Sequence, residues 1–100
     1  MSSVLFIMTR SPHESTDLEL IPDIGGSDKK GVMLFEDAVY FAVDKKAGKH
    51  LSEHADEVFV LKDDLAARGF KGCATGKFRE IDYQQAVDVI MERYDRSVTI

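Results

Sequence analysis

Three short apolar runs, VLFIM (4–8), VMLF (32–35) and VFVL (58–61), are not broken by polar residues at alternate positions. A strand with one face in water alternates apolar and polar side chains, so uninterrupted runs of this length imply strands covered on both faces, as parallel strands are. The runs start 28 and then 26 residues apart, close to the length of a strand, crossover helix and strand unit. Each is followed by a helix-compatible stretch, and this order of elements predicts an α/β fold.

The intervening segments carry helix punctuation. EDAVYFAVDKKAG (36–48) has acids in its first turn, lysines near its end and Gly48 beyond, the charge order a helix dipole favours. KDDLAARG (62–69) offers Asp63 or Asp64 as a cap and Gly69 as a left-handed stop. In DYQQAVDVIMERY (82–94), Asp82 and Gln85 make a capping-box pattern, and Tyr83, Ala86, Val87, Ile90 and Tyr94 share a face. HESTDLELIPDIGG (13–26) reads as a short helix stopped before Pro22 and then a turn. FREI (78–81) supplies a fourth, weaker strand, and the closing SVTI an edge strand or a segment docked on the sheet. The expectation is a small flavodoxin-like parallel sheet of about four strands flanked by helices, in a single domain over residues 1–100. In such sheets ligand chemistry belongs at the carboxyl ends of the strands, where TRSPH (9–13), FEDA (35–38) and LKDD (61–64) would meet.

Composition narrows the function classes. With 44% hydrophobic and 31% charged residues, the 100-residue chain has the make-up of a soluble globular protein. A net charge of -5 argues against a surface that neutralises many phosphates, hence against direct nucleic-acid binding. No run reaches membrane-spanning length, and VLFIM lacks the basic leader and cleavage site of a signal peptide. A single cysteine fits a reducing compartment, with the cytoplasm as the default.

That cysteine, Cys73, sits in FKGCATGKF (70–78) between two glycines and near Lys71, Lys77 and Arg79, which could stabilise a thiolate. The segment is no Walker loop, because Lys71 stands where the first glycine is needed and Phe78 where Ser or Thr would bind magnesium. If the helix at 63–68 runs back along the sheet, residues 69–77 lie at the amino end of the strands, away from the expected site. Glu36, Asp37, Asp63 and Asp64 are the acids that helix starts attract. A magnesium site would also want an acidic pair after the first strand, where TRSP stands. His50 and His54 have the spacing of two ligands on one helix face, but no third ligand is evident and the surrounding DKKAGKHLSEHADE reads as a charged surface connection. His13 lies in a loop at the better end of the sheet without an assignable acid partner. No cofactor or metal is called for. Val39, Tyr40, Phe41 and Val43 in AVYFAV exceed what one sheet contact needs, so either part of them meets another subunit or all fit a small core.

Taken together, RSP after the first strand, VMLFEDAVYFAV, VFVLKDDLAARGF and IDYQQAVDVI resemble the DsrH/TusB family over most of the chain. The resemblance implies a small subunit of a cytoplasmic sulfur relay, assembled with DsrE/TusD-like and DsrF/TusC-like chains and passing persulfide sulfur to a DsrC/TusE-like acceptor. The sulfur ends in tRNA wobble-uridine 2-thiolation or in dissimilatory sulfur oxidation. In the related DsrE/TusD subunits the sulfur-carrying cysteine stands at the end of a strand, before the helix that leads to an Arg-Gly pair. Here that place holds Lys62, Asp63 and Asp64. Some DsrH members carry a cysteine after the SP loop, which HESTDLELIPDIGG lacks, and Ala38 replaces a usual glycine. Three functions follow: a non-catalytic docking subunit, a persulfide carrier using Cys73, or a free-standing homo-oligomer. The first assigns partner contacts to Arg10, Ser11, Glu36, Asp37, Val39, Tyr40, Phe41, Val43, Asp63 and Asp64.

Overall fold

The computed structural model describes residues 2–12, 18–72, 74 and 76–100. The three apolar runs form β1 (Ser3–Met8), β2 (Lys29–Leu34) and β3 (Glu57–Leu61), joined by β4 (Phe78–Ile81) and β5 (Arg96–Thr99). All neighbouring strands are parallel, in the order β4-β3-β2-β1-β5. The α/β class and the helix-flanked parallel sheet are those the sequence implies. The fifth strand comes from the closing segment, and the order differs from the flavodoxin arrangement, 2-1-3-4-5. The first three crossovers all step the same way along the sheet, so right-handed connections place their helices on one face. The last crossover returns across the other face and sets β5 beside β1, which puts the reversal of strand order at the loop carrying Arg10 and Ser11.

Two core layers match this winding. Val4, Phe6, Val32, Leu34, Val58 and Val60 face one side and pack with Ile21, Val39, Phe41, Leu51 and Leu65 from the three crossovers. Leu5, Met33, Phe59 and Ile81 face the other side under Ala86, Val89 and Tyr94. Strand side chains alternate between faces, so unbroken apolar runs are what two covered faces require.

Several helices depart from the sequence expectation. Pro22 lies inside α1 (Leu20–Gly25) instead of ending a helix before it, which its place in the first turn permits because that N–H has no helical acceptor. EDAVYFAVDKKAG is not one helix: a 3₁₀ helix covers Glu36–Ala42, and α2 (Lys45–His54) starts afresh. The Asp44 carboxylate accepts the Ala47 N–H at 3.0 Å and caps α2. Gly48 is therefore interior to α2, not its stop, because a Cβ there would stand 2.5 Å from the Phe41 carbonyl oxygen. The charged stretch that reads as a surface connection is this helix, and it carries His50 and His54. α3 (Lys62–Ala67) follows β3 directly. α4 (Tyr83–Asp88) opens with the expected capping box, Asp82 and Gln85 exchanging bonds of 2.7 and 2.9 Å, and continues as a π turn over Val89–Arg93.

Candidate functional site

β2 brings the chain to the carboxyl edge of the sheet, where the Phe35 N–H still donates to the Met8 carbonyl of β1 at 2.9 Å. Glu36 then turns into the left-handed region, with φ of 51°. That conformation costs a residue with a Cβ roughly 1–2 kcal/mol, so it persists only where neighbours hold it. Asp64, in the first turn of α3, does so: its Oδ2 accepts the Glu36 N–H at 2.6 Å. Arg68 closes the arrangement from the end of α3. Its Nε and Nη2 donate to Asp37 Oδ1 at 2.9 and 2.8 Å, and its Nη1 donates to the Asp64 carbonyl oxygen at 3.1 Å. Two of the four acids are thus engaged by the chain itself, and the turn after β2 is tied to both ends of α3.

The edge leaves Arg10, Glu36, Lys62 and Asp63 exposed around this network, with Ser11 buried beneath. Val39 and Phe41 lie inside the monomer core, 0% and 2% exposed, so their apolar surface is spent there. Val43 is partly buried against the same layer. Tyr40 remains at the rim, its ring edge-on to Phe70 with centroids 5.6 Å apart. Among the described residues of this edge there is no thiol, and its exposed groups carry charges of both signs.

Cys73 and His13 lie outside the described residues. The described residues after Cys73 are Ala74, partly buried against the first core layer, and Gly76 and Lys77. The Lys77 ammonium donates to the Ser52 carbonyl at 2.6 Å and to the Ala55 carbonyl, capping the carboxyl end of α2. It holds α2 in place. Lys77 immediately precedes β4, so this contact lies at the amino edge of the sheet, opposite Glu36 and Asp64.

Among the described residues, the two groups with displaced titration also lie at that amino edge. Burial pushes Glu57 upward, but the Tyr94 hydroxyl, donating at 2.8 Å, and the charges of Lys29 and Arg93 outweigh it and hold the carboxyl below its ordinary value. Burial first, and then the bond to Glu57, push Tyr94 up. This cluster ties β3 to the chain after α4, and its charged members are paired with one another, as in a structural ion-pair network. A carboxylate whose folded pKa is depressed contributes stability above its unfolded pKa and loses it as pH falls through the folded value. Unfolding stability is therefore expected to decline as pH drops below about 4.5, the ordinary value for Glu57. Urea midpoints at neutral and acidic pH check this, and Glu57→Gln should make the decline shallower.

The family model described as DsrH like protein matches residues 10–95. The crystal structure of the ychN protein from E. coli superposes with a TM-score of 0.79 and covers 100% of both chains, at 14% sequence identity, which speaks for a shared fold. No curated protein matches the sequence significantly. The match over residues 10–95 contains β2, β3, β4, every helix and the whole carboxyl-edge network, and on that extent the chain belongs to the DsrH family.

Proposed function

We propose that the chain is a docking subunit of a cytoplasmic sulfur-relay complex and that the persulfide-carrying thiol belongs to a partner. The observation that carries this reading is at the end of β3. Where a DsrE/TusD-like relative would present its cysteine, this family member has Lys62-Asp63-Asp64, and the Asp64 carboxylate is committed to the Glu36 backbone. A group that holds a left-handed turn in place is a positioning element. The partners are DsrE/TusD-like and DsrF/TusC-like chains, with a DsrC/TusE-like acceptor reached through them. Delivery runs to tRNA 2-thiolation or to sulfur oxidation.

The contact surface on this chain has two parts. At the carboxyl edge, Arg10, Glu36 and Asp63 offer exposed charges. On α4 and its π turn, Tyr83, Val87 and Met91 follow at four-residue spacing and are 64%, 38% and 75% exposed. Large apolar side chains so displayed suit burial against a second subunit. No helix among the described residues is long and apolar enough to cross a membrane, in keeping with a complex free in the cytoplasm.

Co-expression with DsrE-like and DsrF-like chains, followed by size exclusion and a persulfide-transfer assay, tests the proposal. The expected result is one co-eluting complex whose transfer is unchanged by Cys73→Ser. Complete loss of transfer in that variant would make Cys73 the carrier, and identical elution with and without the other chains would indicate a free-standing oligomer.

A further inference from the structure

We propose that Glu19, His50 and His54 form a binding site for a divalent transition-metal ion, with Zn²⁺ the best chemical fit. His50 and His54 stand one turn apart on α2, with ring centroids 5.2 Å apart. Glu19 comes from a different part of the chain, immediately before α1, and its Oε1 lies 4.0 Å from His54 Nε2. One ligand atom from each residue lies within 4.8 Å of the other two.

The supports of these side chains are fixed. α2 cannot rotate freely, because Gly48 packs beneath the Phe41 carbonyl and the Phe78 ring and Leu51 is fully buried. Its two ends are held by Asp44 and Lys77. Glu19 is anchored through its carbonyl, which accepts the Asp23 N–H at 3.1 Å, and by the buried Ile21 beside it. The adjustment that binding needs is confined to side-chain rotation. Ligands about 2.0–2.1 Å from a tetrahedral ion stand about 3.3 Å from one another, so the donors must close by about 1.5 Å or less. Rotation about the side-chain torsions of exposed or half-buried residues covers that distance without backbone movement.

The donor set selects the metal class. Two imidazoles and one carboxylate suit Zn²⁺ and its neighbours Co²⁺, Ni²⁺ and Cu²⁺, whereas Mg²⁺ and Ca²⁺ seek oxygen ligands. Three protein ligands leave a fourth position for water or for a group from a partner. Because the ligands are brought together only by the fold, binding must stabilise it. An ordinary surface Glu–His ion pair would do neither: it would not bind the ion at one per chain, nor raise the melting temperature with it.

Zn²⁺ titration of the full-length chain by calorimetry tests the site, with Co²⁺ as a spectroscopic probe. Expected are one Zn²⁺ per chain, visible Co²⁺ bands of a four-coordinate site without thiolate charge transfer, and a rise in melting temperature with Zn²⁺. Removing a ligand should cost at least the loss typical of an outer-shell partner, so His50→Ala and His54→Ala should each weaken binding by about 100-fold or more. Glu19→Gln should weaken it by about 10-fold or more, and Cys73→Ser should leave it unchanged. The proposal is overturned by an absence of saturable binding, by affinity that survives His50→Ala, or by binding that vanishes only with Cys73→Ser. His50 is exposed, so its variant tests the site without threatening the fold.

Discussion

Gly31→Ala is expected to destabilise the protein by about 3–5 kcal/mol, far more than one methyl group on a β-strand ordinarily costs. Gly31 lies within β2, paired with Leu5 on one side and Glu57 on the other. The strand has no side chain there, and the Tyr94 ring occupies the space. A Cβ on Gly31 would stand 2.2 Å from the Tyr94 hydroxyl oxygen and 2.4 Å from the carbon that bears it. Tyr94 cannot retreat cheaply, since it is buried and its hydroxyl donates to the Glu57 carboxylate at 2.8 Å. Overpacking costs about 1–3 kcal/mol, and a broken hydrogen bond to a charged group adds about 1.5–3 kcal/mol. Urea unfolding measures the loss. Removing the clash from the other side, in Gly31→Ala with Tyr94→Leu, should cost less than the sum of the single variants. A loss under about 1 kcal/mol in Gly31→Ala would show that Tyr94 does not need the slot.

Phe59→Ala is expected to remove a further large share of stability, about 3–5 kcal/mol. Phe59 is 1% exposed on β3, between Met33 of β2 and Arg79 of β4, and it centres the layer under α4. The guanidinium carbons of Arg79 and Arg93 lie 5.9 and 5.5 Å from its ring centre, so truncation also removes two cation–π contacts. Domains of this kind have only about 5–15 kcal/mol in total, so the variant should show partial unfolding at ordinary temperature by near-ultraviolet circular dichroism or calorimetry. Phe59→Leu keeps most of the volume and should lose markedly less. If both variants melted alike, a loss of ring packing would not explain the effect.

The sheet was legible because its physics is local. A strand buried on both faces must be apolar at every position, and β1, β2 and β3 announce themselves that way. The cap of α4 was legible for the same reason, since Asp82 and Gln85 satisfy each other's backbone within one turn. The break between the 3₁₀ helix and α2 was harder to read. Gly48 looks like a stop by type, yet it is glycine because the Phe41 carbonyl leaves no room for a Cβ, a fact of packing. Asp44 followed by helix formers was the available signal for the new start. Strand order was not legible, because no residue in SVTI says which edge it will join.

The candidate site divides along the same line. That acids cluster after β2 and β3 is visible in FEDA and LKDD, but not that Asp64 serves Glu36, 28 residues away, or that Asp37 serves Arg68, 31 away. The spacing of His50 and His54 was equally plain, whereas Glu19, from a distant part of the chain, reaches them only through the fold. Contacts between distant segments leave no periodic trace.

The unequal cladding of the sheet has a consequence for how long the chain survives. Three crossovers insulate one side, while the rear of β1, β2 and β3 is shielded by little more than the single segment from Tyr83 to Tyr94. Loosening of that one shutter bares Leu5, Met33 and Phe59 together, so the earliest opening events should begin there. A neighbour seated on Tyr83, Val87 and Met91 would latch it, making persistence in the cell a property of the assembled chain more than of the solitary one.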